Sequence, residues 1–109
     1  MATLKPKPTL SDLQAYMKTV CKERGWDTSN HLEIFLLMTE EFGELAKAIR
    51  NHTKLYQETG KKDKDTRQEL EGEFSDVLSY LLDLANYFEV DLEKAFRDKE
   101  EINAKRVWK

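Results

Sequence analysis

Apolar residues return every third or fourth position along almost the whole chain, and nowhere do they alternate with polar ones. The runs are Leu13, Met17, Val20 and Cys21, then Phe35, Met38, Phe42, Leu45 and Ile49, then Leu70, Phe74, Val77, Leu81, Leu84 and Phe88, and finally Leu92 and Phe96. A period near 3.6 admits helices and excludes half-buried strands. Both prolines, Pro6 and Pro8, precede the first periodic run, so no helix is interrupted. The expected fold is all-α, an antiparallel four-helix bundle. Ser11 with Gln14 reads as a capping box for the first helix, which Gly25 ends. After a short turn over Trp26–Ser29, Asn30 with Glu33 opens a second helix reaching about Asn51. Thr66 with Glu69 reads as the start of a third, running to about Tyr87, and Asp91 as the cap of a fourth. Residues 1–9 are expected to form a flexible leader and 10–109 one domain. The basic segment Thr53–Asp65, with Gly60, Lys61, Lys62 and Lys64, is the place for a long loop. Phe35, Phe42, Phe74, Phe88 and Phe96 are expected in the core, and Trp108 as an anchor for the tail.

At 109 residues the chain can build one core. Its single cysteine, Cys21, excludes an internal disulfide, and the Cys and His supply is too thin for structural zinc. The strongest apolar stretch, Ile34–Met38, falls far short of the about 18 residues of a membrane span. With no apolar signal core at the N-terminus, a reducing cytoplasm is the expected compartment. Lys and Arg number 18 against 21 Asp and Glu, a net charge of −3. A general nucleic-acid coat would need a basic excess, so nucleic acid is not an expected partner.

The carboxylates are less ordinary. On the second helix Glu41 lies beside the apolar stripe and Glu44 one helical step further round, with Ile34, Leu37 and Ala48 on their other side. Glu40 sits further toward the polar face. On the third, Glu69, Glu73, Asp76, Tyr80, Asp83 and Tyr87 run along one flank, with Glu73 nearest the core stripe. If these helices are neighbours, Glu41, Glu44, Glu73 and Asp76 can converge on one groove. Two carboxylates about 5 Å apart repel by about 3 kcal/mol at an effective dielectric of 20, so a cluster of four needs protons or cations. An all-oxygen ligand set suits Mg²⁺, or Mn²⁺, and such ions are usually shared with substrate phosphates. The plain alternative is that each acidic pair is solvated surface. A di-iron bundle would need Glu-x-x-His pairs, but the residues three before His31 and His52 are Thr28 and Ile49. The fourth helix continues from Leu92 and Phe96 into Lys99, Asn103 and Arg106, a face suited either to an anion or to the helix's own C-terminal dipole. The loop lysines 61, 62 and 64 similarly suit phosphates or simple solubility. Trp26, Tyr80 and Tyr87 are candidates for stacking on a nucleobase or for packing.

Glu40-Glu41-x-x-Glu44, the 45–72 spacer and Glu73-x-x-Asp76 together resemble the signature of the MazG-like all-α NTP pyrophosphohydrolases. Glu23-Arg24-Gly25-Trp26-Asp27 resembles the segment before that family's metal-binding helix, Glu44–Ile49 its continuation, and Lys99-x-x-x-Asn103-x-x-Arg106 its closing motif. The resemblance implies Mg²⁺-dependent hydrolysis of a nucleoside triphosphate to monophosphate and pyrophosphate, and a homodimer or homotetramer. It implies Glu41, Glu44, Glu73 and Asp76 as metal ligands, with Glu41 or Glu44 orienting the attacking water. Lys99, Asn103 and Arg106 would contact phosphates or the nucleotide; Trp26, as a stacking candidate, is the further residue expected to bind substrate. Many relatives carry His-x-Pro after the Trp-containing turn. Here Asp27–His31 has no proline, so His31 receives no base-recognition role. Two other readings stay open: a phosphoribosyl-ATP pyrophosphohydrolase-like enzyme, and a non-enzymatic helical dimer.

Overall fold

The computed structural model describes residues 2–26 and 29–106. Trp108 lies outside the described residues, as do Asp27 and Thr28 of the turn after Gly25. Four helices occur in order: α1 (Leu10–Glu23), α2 (His31–His52), α3 (Asp63–Tyr87) and α4 (Leu92–Lys105), with no strand among the described residues. Among those residues no helix is long and apolar enough to cross a membrane. The chain forms two compact units, one of Met1–Ser29 with Leu82–Lys109, the other of Asn30–Leu81.

In the first unit α1 packs on α4. Its core is Met17, Val20, Cys21 and Leu82, flanked by Ala2, Leu10, Leu13, Tyr16 and Leu92. The N-cap of α1 is Thr9, not the expected Ser11. Thr9 Oγ1 accepts from the Asp12 N–H at 3.0 Å, and the Asp12 carboxylate accepts from the Thr9 N–H at 3.0 Å. That exchange leaves Gln14 free for a different task. Buried, it donates to the Val90 carbonyl and the Asn86 side chain and accepts from the Leu92 N–H, tying α1 to the start of α4. Gly25 does end α1: it sits at φ 68°, and the Trp26 N–H reaches back to the Cys21 carbonyl at 2.9 Å. Asp91 caps α4 as expected, accepting from the Lys94 N–H.

In the second unit α2 and α3 form an antiparallel hairpin. The Asn30 side chain caps α2, accepting from the Leu32 and Glu33 N–H groups. Thr66 is not a cap, because α3 begins earlier, at Asp63. Fully buried, Thr66 donates to the Asp63 carbonyl and pairs with His52 Nδ1 at 3.0 Å, joining the end of α2 to the first turns of α3. The buried or half-buried line of α2 runs Ile34, Met38, Glu41, Leu45, Ala48 and His52, and that of α3 runs Thr66, Leu70, Glu73, Val77 and Tyr80. This alternation of four- and three-residue steps is a seam of two facing helices.

The expected phenylalanine core is a correction. Phe35, Phe42, Phe74, Phe88 and Phe96 are all exposed, from 48% for Phe42 to 69% for Phe96. On α2 the phenylalanine stripe is turned by about 100° from the residues that the hairpin buries. Two apolar stripes share that helix, and the seam uses the one containing Ile34.

Candidate metal centre

The seam places a carboxylate at a core position of each helix. Glu41 follows Met38 by three and precedes Leu45 by four; Glu73 has the same relation to Leu70 and Val77. Both side chains are half-buried, and Asp76, one turn beyond Glu73 toward the solvent side, is exposed. One oxygen from each of Glu41, Glu73 and Asp76 lies within 4.8 Å of the other two. Glu73 Oε2 is closed off from solvent and has no hydrogen-bond partner among the described residues.

This arrangement is costly as it stands. Burial pushes the Glu41 carboxyl above the usual range, and contact with Glu73 and the charges of Asp76, Glu73 and Glu44 push it the same way. A buried acceptor without a donor costs about 1–3 kcal/mol. A divalent cation would relieve both penalties, since it offers the orphaned oxygen a partner and converts mutual repulsion into shared attraction. Three hard oxygen donors from two rigid helices fit such an ion.

Glu44 is not one of the three converging groups. It is exposed and lines the adjoining cavity with Glu73. Glu40 is exposed on the outer side of α2. Lys99, Asn103 and Arg106 belong to the first unit. Lys99 is exposed, Asn103 is half-buried, and Arg106 is the C-cap residue of α4, its N–H bonded to the Asn103 carbonyl. Trp26, in the same unit, is 53% exposed, with the Arg24 guanidinium 4.9 Å from its ring centroid. Helical spacing alone set Glu41 and Glu73 beside the core stripes. The structure sets them within the seam, and the signal for this was the four-three rhythm through Ile34, Met38, Glu41, Leu45 and Ala48.

Residues 29–106, which hold the whole acidic cluster and the α4 cations, match the MazG nucleotide pyrophosphohydrolase domain. The chain belongs to this family. Among curated proteins, human dCTP pyrophosphatase 1 is 35% identical over 104 residues, covering 93% of this chain and 60% of the human protein. The rat dCTP pyrophosphatase 1 is 31% identical over 102 residues, with the same coverage. The uncharacterized protein YvdC of Bacillus subtilis (strain 168) is 32% identical over 101 residues, 89% of this chain and 94% of YvdC. The chain therefore spans about three-fifths of the length of the dCTP pyrophosphatases that it matches. Within the MazG domain the acidic seam is the feature of the α2–α3 hairpin that ordinary packing leaves unexplained, because a stable seam needs no carboxylate at either position.

Proposed function

We propose that this MazG domain hydrolyses a nucleoside triphosphate to the monophosphate and pyrophosphate, with Mg²⁺ or Mn²⁺ held by Glu41, Glu73 and Asp76 and reached by Glu44. The observation that carries the reading is the convergence of one carboxylate oxygen from each of Glu41, Glu73 and Asp76 within 4.8 Å of one another, beside a Glu73 Oε2 that is buried without a hydrogen-bond partner among the described residues. The bound cation would supply charge neutralisation at the phosphate oxygens and Lewis-acid activation of water. To Glu44, outside the converging trio but on the adjoining cavity, we assign the orienting of the water and the acceptance of its proton. The water oxygen forms the new bond to the α-phosphorus, the bond from that phosphorus to the bridging oxygen breaks, and pyrophosphate leaves with the electron pair. Lys99, Asn103 and Arg106 are assigned to the anionic substrate, and Trp26 to its base. The names of the mammalian relatives make dCTP the first substrate to try, and removal of unwanted nucleotides from the cytoplasmic pool the expected role.

The test is release of pyrophosphate from a panel of ribo- and deoxyribonucleoside triphosphates, dCTP included, with Mg²⁺, Mn²⁺ or chelator. Turnover of at least one triphosphate, lost with chelator, is expected. Glu73→Ala and Glu44→Gln should each lower kcat by at least about a hundredfold while leaving the helical circular dichroism in place. A chain that binds no divalent cation and releases no pyrophosphate would overturn the reading.

Assembly into a homodimer or homotetramer belongs to the same proposal. Leu32, Phe35, Leu36, Phe42, Phe74 and Leu81 are exposed apolar side chains on the α2–α3 hairpin, more than an isolated small domain ordinarily presents to water. A second copy of the same hairpin would cover them with an equivalent surface.

A further inference from the structure

The segment between α2 and α3 is built rather than loose. Asn51, 1% exposed, accepts the Glu58 N–H on its Oδ1 at 3.1 Å, and its carbonyl accepts from Gln57 Nε2 at 2.7 Å. Arg50 donates to the Tyr56 carbonyl. The segment thereby delivers Lys61 to the flank of α3, where Nζ donates to Glu69 Oε1 at 2.7 Å and stands 3.8 Å from Glu58 Oε2. Only 26% of the Lys61 side chain remains exposed, an unusual degree of cover for a loop lysine. From α2, Lys47 Nζ reaches the other oxygen of Glu58 at 3.2 Å. Lys47 and Lys61 line one cavity of about 230 Å³ together with Glu44, Asn51, Glu69 and Glu73.

The order of charges along the hairpin is informative. Lys47 follows Glu44 by one turn of α2, about 4.5 Å, and Glu69, which holds Lys61, precedes Glu73 by about 6 Å on α3. Because the helices run in opposite directions, both ammonium groups lie on the loop side of the carboxylates. Glu58 and Glu69 balance the two cations, so these four side chains add no net charge. Each ammonium has three donors, and the ion pairs engage them only partly.

We propose that Lys47 and Lys61 form the wall of the site that receives the terminal phosphates of the substrate, so that the polyphosphate lies along the α2–α3 groove with its leaving end toward the 53–62 loop. The assignment rests on the pyrophosphohydrolase reading and adds an orientation to it. Lys62, exposed on the loop, and Lys64, exposed in the first turn of α3, have no such part.

The experiment is calorimetric titration of the full chain with inorganic pyrophosphate in excess Mg²⁺, which requires no turnover. Lys61→Gln and Lys47→Gln are each expected to weaken pyrophosphate binding by roughly tenfold, the effect of losing one charge-assisted contact. Lys62→Gln should leave it unchanged, and Lys61→Arg should retain most of it. In steady-state assays both Gln variants should raise KM for the triphosphate. Lys47 projects from a formed helix, so Lys47→Gln remains decisive should Lys61→Gln unfold. Unaltered pyrophosphate affinity in folded Lys47→Gln overturns the orientation, even where the wild type hydrolyses triphosphates. Wild type that binds pyrophosphate through both lysines but hydrolyses no nucleotide supports the phosphate wall and overturns the hydrolase reading instead.

Discussion

Glu41 and Glu73 each occupy a position where the rhythm of the helix calls for an apolar side chain. Placed there, a carboxylate loses water: Glu73 Oε2 is left without a hydrogen-bond partner among the described residues, and the charges of Asp76, Glu73 and Glu44 repel that of Glu41. The consequence for stability has a definite sign. The folded chain holds a proton on Glu41 more tightly than the unfolded chain, where glutamate titrates at about 4.3. The resulting stabilisation is complete below that value and is lost as pH rises through the higher folded value. In chelator, wild type is therefore expected to lose melting temperature relative to Glu41→Gln as pH is raised from about 4 toward 7. Mg²⁺ at pH 7 should return roughly a few degrees to the wild type and none to Glu73→Ala. Thermal melts across pH, with and without the ion, check both statements; a wild type that gains on Glu41→Gln over that range would refute the placement. The candidate residues themselves were legible in the sequence, since Glu41, Glu44, Glu73 and Asp76 stand out by spacing. Their unequal burial was not, because it depends on which of two apolar stripes the partner helix covers.

At the scale of elements, local chemistry forecast the four helices and the caps at Asn30 and Asp91, while two other starts moved. Ser11 and Thr66 both have the right side chain and the right residue three positions on. Thr9 prevails over Ser11 because Asp12 returns its hydrogen bond, and because Gln14 is held by Asn86, Val90 and Leu92. Thr66 is drawn inside α3 by His52 and the Asp63 carbonyl, contacts that no local motif encodes. Replacing Thr9 by Ala should cost about 1 kcal/mol, and replacing Ser11 by Ala far less. Urea denaturation of the two variants distinguishes them; equal losses would return the cap to Ser11. The 53–62 loop shows the same limit. Its composition admits solubility or phosphate cover, and the position of Lys61 beside Glu69 follows from Asn51, which pins the loop from a buried position on α2.

For the whole molecule, the exposed phenylalanines set the expectation. Phe35→Glu or Phe42→Glu should turn the proposed oligomer into a monomer in sedimentation velocity, with α2 still helical by circular dichroism. A wild type that is already monomeric at high concentration would refute the assembly. The sequence by itself determined the helical class, the helix count, the acidic pairs and the family, for each depends on residue type and spacing along one strand of chain. Only the tertiary structure decided which stripe of α2 is buried, that Glu41 and Glu73 lie within the seam, and where Lys61 comes to rest. Neighbouring residues on a helix differ by about 100° in direction, so the same periodic pattern serves several faces, and the packing partner selects among them.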